Sequence, residues 1–248
     1  METMVCGHDL EKTKRKCGFS DGVCVGSRGR SGGIGFWWKD VNVWPIEWSQ
    51  NFFLAEIRDE NNAILWVAVG VYGWPENEHK HRTWSMLRGI KARYDQPMLF
   101  FGDFNEILSA AKKVGGAPRR ESCLDNFRST IDDCCLRDLG HDGDPFTWQR
   151  GKSEANIILE RLDRFLATDS WVELFPNFRV THFPRTNSDH SLISLNTEGG
   201  HQERVMGRRR YHFKFESFWV ENEECEAIIQ THWNRSMGEP WNKVADCA

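Results

Sequence analysis

No stretch of this chain approaches the ~20 consecutive apolar residues that a membrane-spanning helix requires, and none of its cysteines forms a C-x-x-C pair. The first absence removes a membrane-spanning helix from consideration. The second removes common zinc ribbons and dithiol redox motifs. The eight Cys follow no regular spacing, Cys134 and Cys135 are adjacent and poorly placed to bridge, and the His near them lack zinc-ligand spacing. Reduced, mostly buried thiols are the expectation. The first twenty residues are charged and hold no long apolar run, so no signal peptide is read. An intracellular, soluble protein of nucleus or cytoplasm follows as an expectation. There is no surplus of positive charge either. At a net charge of -4 the chain exerts no global pull on nucleic acid. Any such contact must rest on local basic patches, and the candidates are Lys112-Lys113 with Arg119-Arg120, and Arg208-Arg209-Arg210. Internal repeats are absent.

What the chain does have is enough material for one core. Its 248 residues suit a single substantial domain with a short appendage. The 12 Trp are expected in the core or as cleft walls. After a polar, Gly-rich opening (1–33), apolar and β-branched runs bounded by turn residues read as strands at 34–38, 52–57, 63–72, 98–101, 146–148, 178–183 and 191–195. Helical spacing covers 79–94 and 124–135. Strands outnumber helices, and the expectation is an α+β domain of two packed sheets flanked by helices over residues 1–196. Residues 197–210 read as a polar, basic linker. Residues 211–248 form a C-terminal segment, with a possible edge strand at 211–215 and an amphipathic helix at 218–233.

Three polar clusters, each next to an apolar run, carry the chemistry. They are Gly102-Asp103-Phe104-Asn105, Glu160-Arg161-Leu162-Asp163-Arg164 and Ser188-Asp189-His190. Together they supply carboxylates, a carboxamide and an imidazole, the groups that hold a hard divalent cation and break a phosphate ester. If the strand continues through the first cluster, alternation puts Asp103 and Asn105 on one face and Phe104 in the core. The competing reading is a turn in which both residues make local backbone hydrogen bonds. His190 can carry charge near neutrality, and Asp163 is a candidate to orient its ring. Arg161 and Arg164 would offset the charge of Asp163 or pair with Glu160.

These residues and their order resemble the endonuclease/exonuclease/phosphatase family, particularly the endonuclease domain of LINE-type non-LTR retrotransposons. The resemblance includes Gly29 to Gly33, Val71-Tyr72-Gly73-Trp74-Pro75, Gly102 to Leu108, Asp144-Pro145-Phe146-Thr147-Trp148, Glu160 to Arg164 and Ser188 to His190. It implies a DNase I-like two-sheet sandwich, Mg²⁺ as cofactor, no small-molecule cofactor, and DNA as partner. By resemblance Asp103 polarises the attacking water and Asn105 positions it. His190, held by Asp163, stabilises charge on the phosphate, Tyr72 places its phenol nearby, and Glu2 and Asp189 serve the metal. The tail looks like the segment that connects such a domain to a reverse transcriptase. In the family, a strand bearing a catalytic Asn and a helix precede the strand that carries the metal-binding Glu. The chain starts Met1-Glu2-Thr3, so the resemblance implies a fold lacking that first strand and helix, with Glu2 on a fraying terminus and impaired chemistry. Three functions stay open: a weakened DNA-nicking phosphodiesterase, a non-catalytic retroelement remnant, and a phosphoesterase of the same fold with another substrate.

Overall fold

The computed structural model describes residues 2–3, 7–26, 33–151, 153, 156–186 and 188–199, with the side chains of Glu2, Thr3 and Gly7 left aside. All belong to the first of two compact units, residues 1–200 and 201–248. The expected Gly-rich turn at 29–33 falls almost wholly outside the described residues, and the linker and C-terminal segment do so but for 197–199. In chain order the elements are β1 (Glu2–Thr3), α1 (Gly7–Lys16), β2 (Asp21–Val25), β3 (Gly33–Trp38), β4 (Val43–Trp48), β5 (Phe52–Arg58) and β6 (Ile64–Tyr72). Then come α2 (Lys80–Lys91), β7 (Met98–Asp103), β8 (Lys113–Val114), α3 (Glu121–Asp133), β9 (Leu136–Asp138), β10 (Asp142–Gly143), β11 (Trp148–Arg150) and β12 (Ile158–Glu160). The last are β13 (Asp163–Thr168), α4 (Asp169–Leu174), β14 (Arg179–His182) and β15 (Ile193–Asn196).

The centre is a six-stranded sheet in the order β4-β5-β6-β7-β13-β9. Only β6 and β7 run parallel within it. Parallel neighbours need a crossover, and α2 supplies it. The inner strands are apolar on both faces because both faces are covered. On one, α2 and α3 bury Leu54, Val69, Leu87, Phe100 and Ile131, and Trp84 stacks on Phe127 at 4.7 Å. On the other, α4 and β14 cover Leu99 and Phe165 with Trp171, Phe178 and Val180, while Phe36 of β3 stacks on Phe53 at 3.9 Å.

The second layer differs from a single packed sheet. Among the described residues it comprises β1-β3-β2 and β10-β14-β15, which do not pair with each other. Between them a cavity of about 450 Å³ opens over the main sheet, lined by residues including Ile34, Phe36, Trp66, Phe101, Ile193 and Leu195. A third small sheet, β11-β12-β8, lies beside the ends of β7 and β13. Several elements also escape the sequence reading. Helix α1 is so rich in Lys and Arg that only Leu10 and the stem of Lys14 are buried. Strand β4 contains Pro45, tolerated because β4 is an edge strand with a register shift between Pro45 and Glu47.

Candidate active site

The site begins with strand register. Tyr72, the last residue of β6, is opposite Asp103, the last of β7, and Asp103 is opposite Asp163, the first of β13. Three chain-distant residues thereby form one row across the sheet end. Close approach of the strands matters here. Gly102 has φ +126 and a Cβ on it would come within 2.3 Å of the Val71 carbonyl, so only glycine fits. Gly73 is hemmed in similarly, since its Cβ would meet the Phe104 carbonyl at 2.4 Å.

The chain leaves β7 in a turn rather than continuing as a strand, which corrects the alternation argument for Asp103 and Asn105. Asn105 adopts the left-handed conformation, φ +54, which Asn tolerates better than most residues. Its backbone N–H donates to Asp103 Oδ1 at 2.8 Å, and its Nδ2 donates to the Gly73 carbonyl at 2.8 Å. These are the local bonds of the turn reading, and they tie the Asn105 backbone to the Asp103 carboxylate. Phe104 is buried, as expected.

His190 arrives from the segment before β15. Two main-chain hydrogen bonds fix that segment against β11 and its lead-in, Gln149 N–H to the Asp189 carbonyl at 2.9 Å and Ser191 N–H to the Thr147 carbonyl at 2.7 Å, and together they form an antiparallel bridge between Trp148 and His190. Trp148 Nε1 also donates to Asp189 Oδ2 at 3.1 Å. So held, His190 Nδ1 lies 2.8 Å from Asp163 Oδ2 and its Nε2 lies 3.9 Å from Asp103 Oδ2. The imidazole stands between two carboxylates.

The electrostatics follow from this geometry. Burial and the neighbouring charge of Asp163 raise the Asp103 carboxyl to about 7, against the lowering effects of His190 and the Asn105 N–H. Burial would lower His190, but the hydrogen bond and charge of Asp163, then Asp103 and Asp189, outweigh it and raise the imidazole to about 9. At neutral pH the ring is cationic and Nδ1–H donates to Asp163.

Two positioning groups were given no role by the sequence, although Thr147 lies within the Asp144 to Trp148 motif. Thr147 is fully buried, and its Oγ1 accepts from the N–H groups of both Leu162 and Asp163, at 3.0 and 2.9 Å. Asp138, at the end of β9, accepts from Arg161 at 2.7 Å and Arg164 at 2.8 Å. The two arginines therefore pair with Asp138, not with Glu160. Glu160 is bound instead by Lys113 and Arg119. That pairing engages half of one candidate basic patch with carboxylates; the other candidate, 208–210, lies outside the described residues.

Of the remaining sequence candidates, Tyr72 is buried beside Asp103, with its main chain held to Asn51. Asp189 is exposed next to His190. Glu2 pairs through its backbone with Ile34 of β3, and its side chain falls outside what is described. For a divalent cation the donor chemistry fits. Asp103, Asp189 and Asn105 offer hard oxygens, and the raised Asp103 carboxyl beside Asp163 marks a place where a cation would be favourable. Among the described residues no group of three His, Cys, Asp or Glu is placed to hold one unaided. A small ion that keeps several waters and borrows phosphate oxygens suits such a site better than one needing a full protein cage.

The sequence matches the endonuclease/exonuclease/phosphatase family over residues 5–190. No curated protein sequence matches the chain. Among solved structures, the endonuclease domain of TRAS1, a telomere-specific non-LTR retrotransposon, aligns with 77% of this chain and 91% of its own at 17% identity and a TM-score of 0.54. TDP2 from D. rerio, complexed with a single-strand DNA product, aligns with 77% of this chain and 81% of its own at 13% identity and a TM-score of 0.46. At 17% identity the likeness to the TRAS1 domain is one of fold.

Proposed function

The chain belongs to the endonuclease/exonuclease/phosphatase family, and we propose that it is a Mg²⁺-dependent phosphodiesterase that nicks DNA. One observation carries the reading: a single imidazole, His190, is hydrogen-bonded through Nδ1 to Asp163 while Nε2 faces Asp103. Asp103, with a carboxyl near neutrality, is matched to take a proton from an attacking water. His190, protonated and held by Asp163, turns an N–H toward the site and stabilises negative charge developing on a phosphate oxygen. Asn105 and Tyr72 orient the water and the phosphate beside Asp103. Asp189 and Glu2 are the side chains assigned to the cation. Mg²⁺, when bound, supplies charge neutralisation at the phosphate. DNA as substrate is supported by the retrotransposon-type order of the sequence motifs.

The test is conversion of supercoiled plasmid to nicked circle, with Mg²⁺, with EDTA, and with Asp103→Ala and His190→Ala. The expected result is metal-dependent nicking that falls by roughly 10²–10⁴-fold in either variant. Equal background in every sample would overturn it and leave a non-catalytic chain. Cleavage of other phosphate esters, with DNA left intact, would keep the chemistry and change the substrate.

A further inference from the structure

A buried amine lies beneath the catalytic turn. Lys80, the first residue of α2, is only 4% exposed. Its Nζ donates to the backbone carbonyl of Asn105 and lies 2.9 Å from Oε2 of the fully buried Glu106. An ammonium taken out of water is tolerated only where a counter-charge and acceptors meet it. Glu106 provides the counter-charge and Asn105 the carbonyl. The Asn105 peptide is the part of the turn that needs holding, because its left-handed conformation is disfavoured for any residue with a side chain. Within the turn, Asn105 is tied to Asp103 through its N–H and to Gly73 through its carboxamide. Lys80 adds a tie from a different element, the start of the crossover helix.

We propose that Lys80 is a positioning residue of the site: its ammonium, neutralised by Glu106, anchors the Asn105 carbonyl and so preserves the turn whose N–H grips Asp103 Oδ1. The inference rests on reading Asp103 and Asn105 as working groups of a phosphodiesterase. It also differs from a merely structural ion pair in what it predicts. Lys80→Met leaves the fully buried Glu106 carboxylate facing only the more distant Arg119, whose Nε lies 3.6 Å from Oε1, and destabilises the chain. Lys80→Met/Glu106→Gln removes both charges and returns stability toward that of the parent, yet leaves the Asn105 carbonyl unanchored.

The experiment uses the full chain and three measurements: thermal melting, kcat and KM for Mg²⁺-dependent nicking, and the ¹⁵N amide resonance of Asn105 in asparagine-labelled protein. In the double variant we expect recovered melting, a displaced Asn105 resonance, and kcat down by roughly ten- to a hundredfold with KM little changed. Parental kcat with an unmoved Asn105 resonance would overturn the proposal. Should the double variant not fold, Glu106→Gln alone keeps the amine in place and is expected to leave the Asn105 resonance closer to its parental position than Lys80→Met does. Equal displacement in both would overturn it. If the parent chain shows no nicking at all, the phosphodiesterase reading fails, while the Asn105 resonance still decides the role of Lys80.

Discussion

Two aspartates, the buried Asp103 and the partly buried Asp138, stand on the same sheet and are pushed in opposite directions. Asp103 ends β7 and is raised to about 7 by burial and by Asp163. Asp138 ends β9 and is held down to about 2, because Arg164 and Arg161 outweigh the raising effect of its burial. Both carboxylates are enclosed, so burial alone does not set their character; the sign and number of neighbouring charges does. Asp138 is surrounded by compensation and serves structure. Asp103 faces a second carboxylate with one imidazole shared between them, an arrangement that is uncomfortable at rest and suited to chemistry.

The contrast is sharpest under substitution. Asp103→Asn should lose nicking by roughly 10²–10⁴-fold while melting at or above the parent temperature at pH 7.5 to 8, because it removes one of two apposed carboxylates. A lower melting temperature would break the comparison. Asp138→Ala should do the reverse. It strands two buried guanidiniums and should destabilise the chain by roughly 3–5 kcal/mol, read by denaturant melts.

The pH profile separates the two sites next. Asp138 has a folded value below its unfolded one, so its stabilisation is present above pH ~4 and is lost as pH falls toward 2, on the order of 2 kcal/mol. His141, which burial and Arg161 lower to about 4, adds a loss in the same direction as pH falls below ~6.5. His190 is raised, so its contribution is full below pH ~6.5 and disappears as pH rises through about 9. Asp103, raised above its unfolded value, gains stability as pH falls from about 7 toward 4 and opposes the His141 loss, so melting temperatures should decline below pH ~4 and again as pH rises toward 9. Asp138→Asn should flatten the acid limb and His190→Ala the alkaline one. The nicking rate should rise as Asp103 ionises near pH 7 and fall as His190 deprotonates near 9. Higher Mg²⁺ should move the rising limb to lower pH, because a cation favours the ionised carboxylate. The smallest effect belongs to Thr147→Val. It leaves two backbone N–H groups without their acceptor, at about 1–3 kcal/mol, and loosens Asp163; Thr147→Ser should retain both bonds.

Much of the frame was legible in local pattern. The runs at 52–57, 63–72 and 98–101 are apolar at nearly every position, Glu56 excepted, because they are inner strands covered on both faces over most of their length, and they match β5, β6 and the first part of β7. The helices at 79–94 and 124–135 overlap α2 and α3 to within a few residues, their stripes being long and regular. Strand β4 and helix α4 gave no such signal, one interrupted by proline and the other only six residues long. The site divides similarly. Asp103, Asn105 and Asp163 stood out because polar residues abruptly follow apolar runs, and His190 because it directly precedes one. Asp138 and Lys80 did not, since each looks like any strand-end or helix-surface residue until its partners are seen, and Thr147 stood within a motif without showing what its hydroxyl holds.

Sequence alone therefore singled out the polar strand-end residues proposed for the chemistry and the strands that form the centre, because hydrophobic periodicity and strand-end polarity are properties of neighbours along the chain. Tertiary structure alone decided how those side chains differ. It set Asp103 beside Asp163 and Asp138 beside two arginines, turned Asn105 out of the strand, and put a lysine beneath it. Those outcomes depend on register across the sheet, where residues tens of positions apart come within a hydrogen bond's length and charge acts through space.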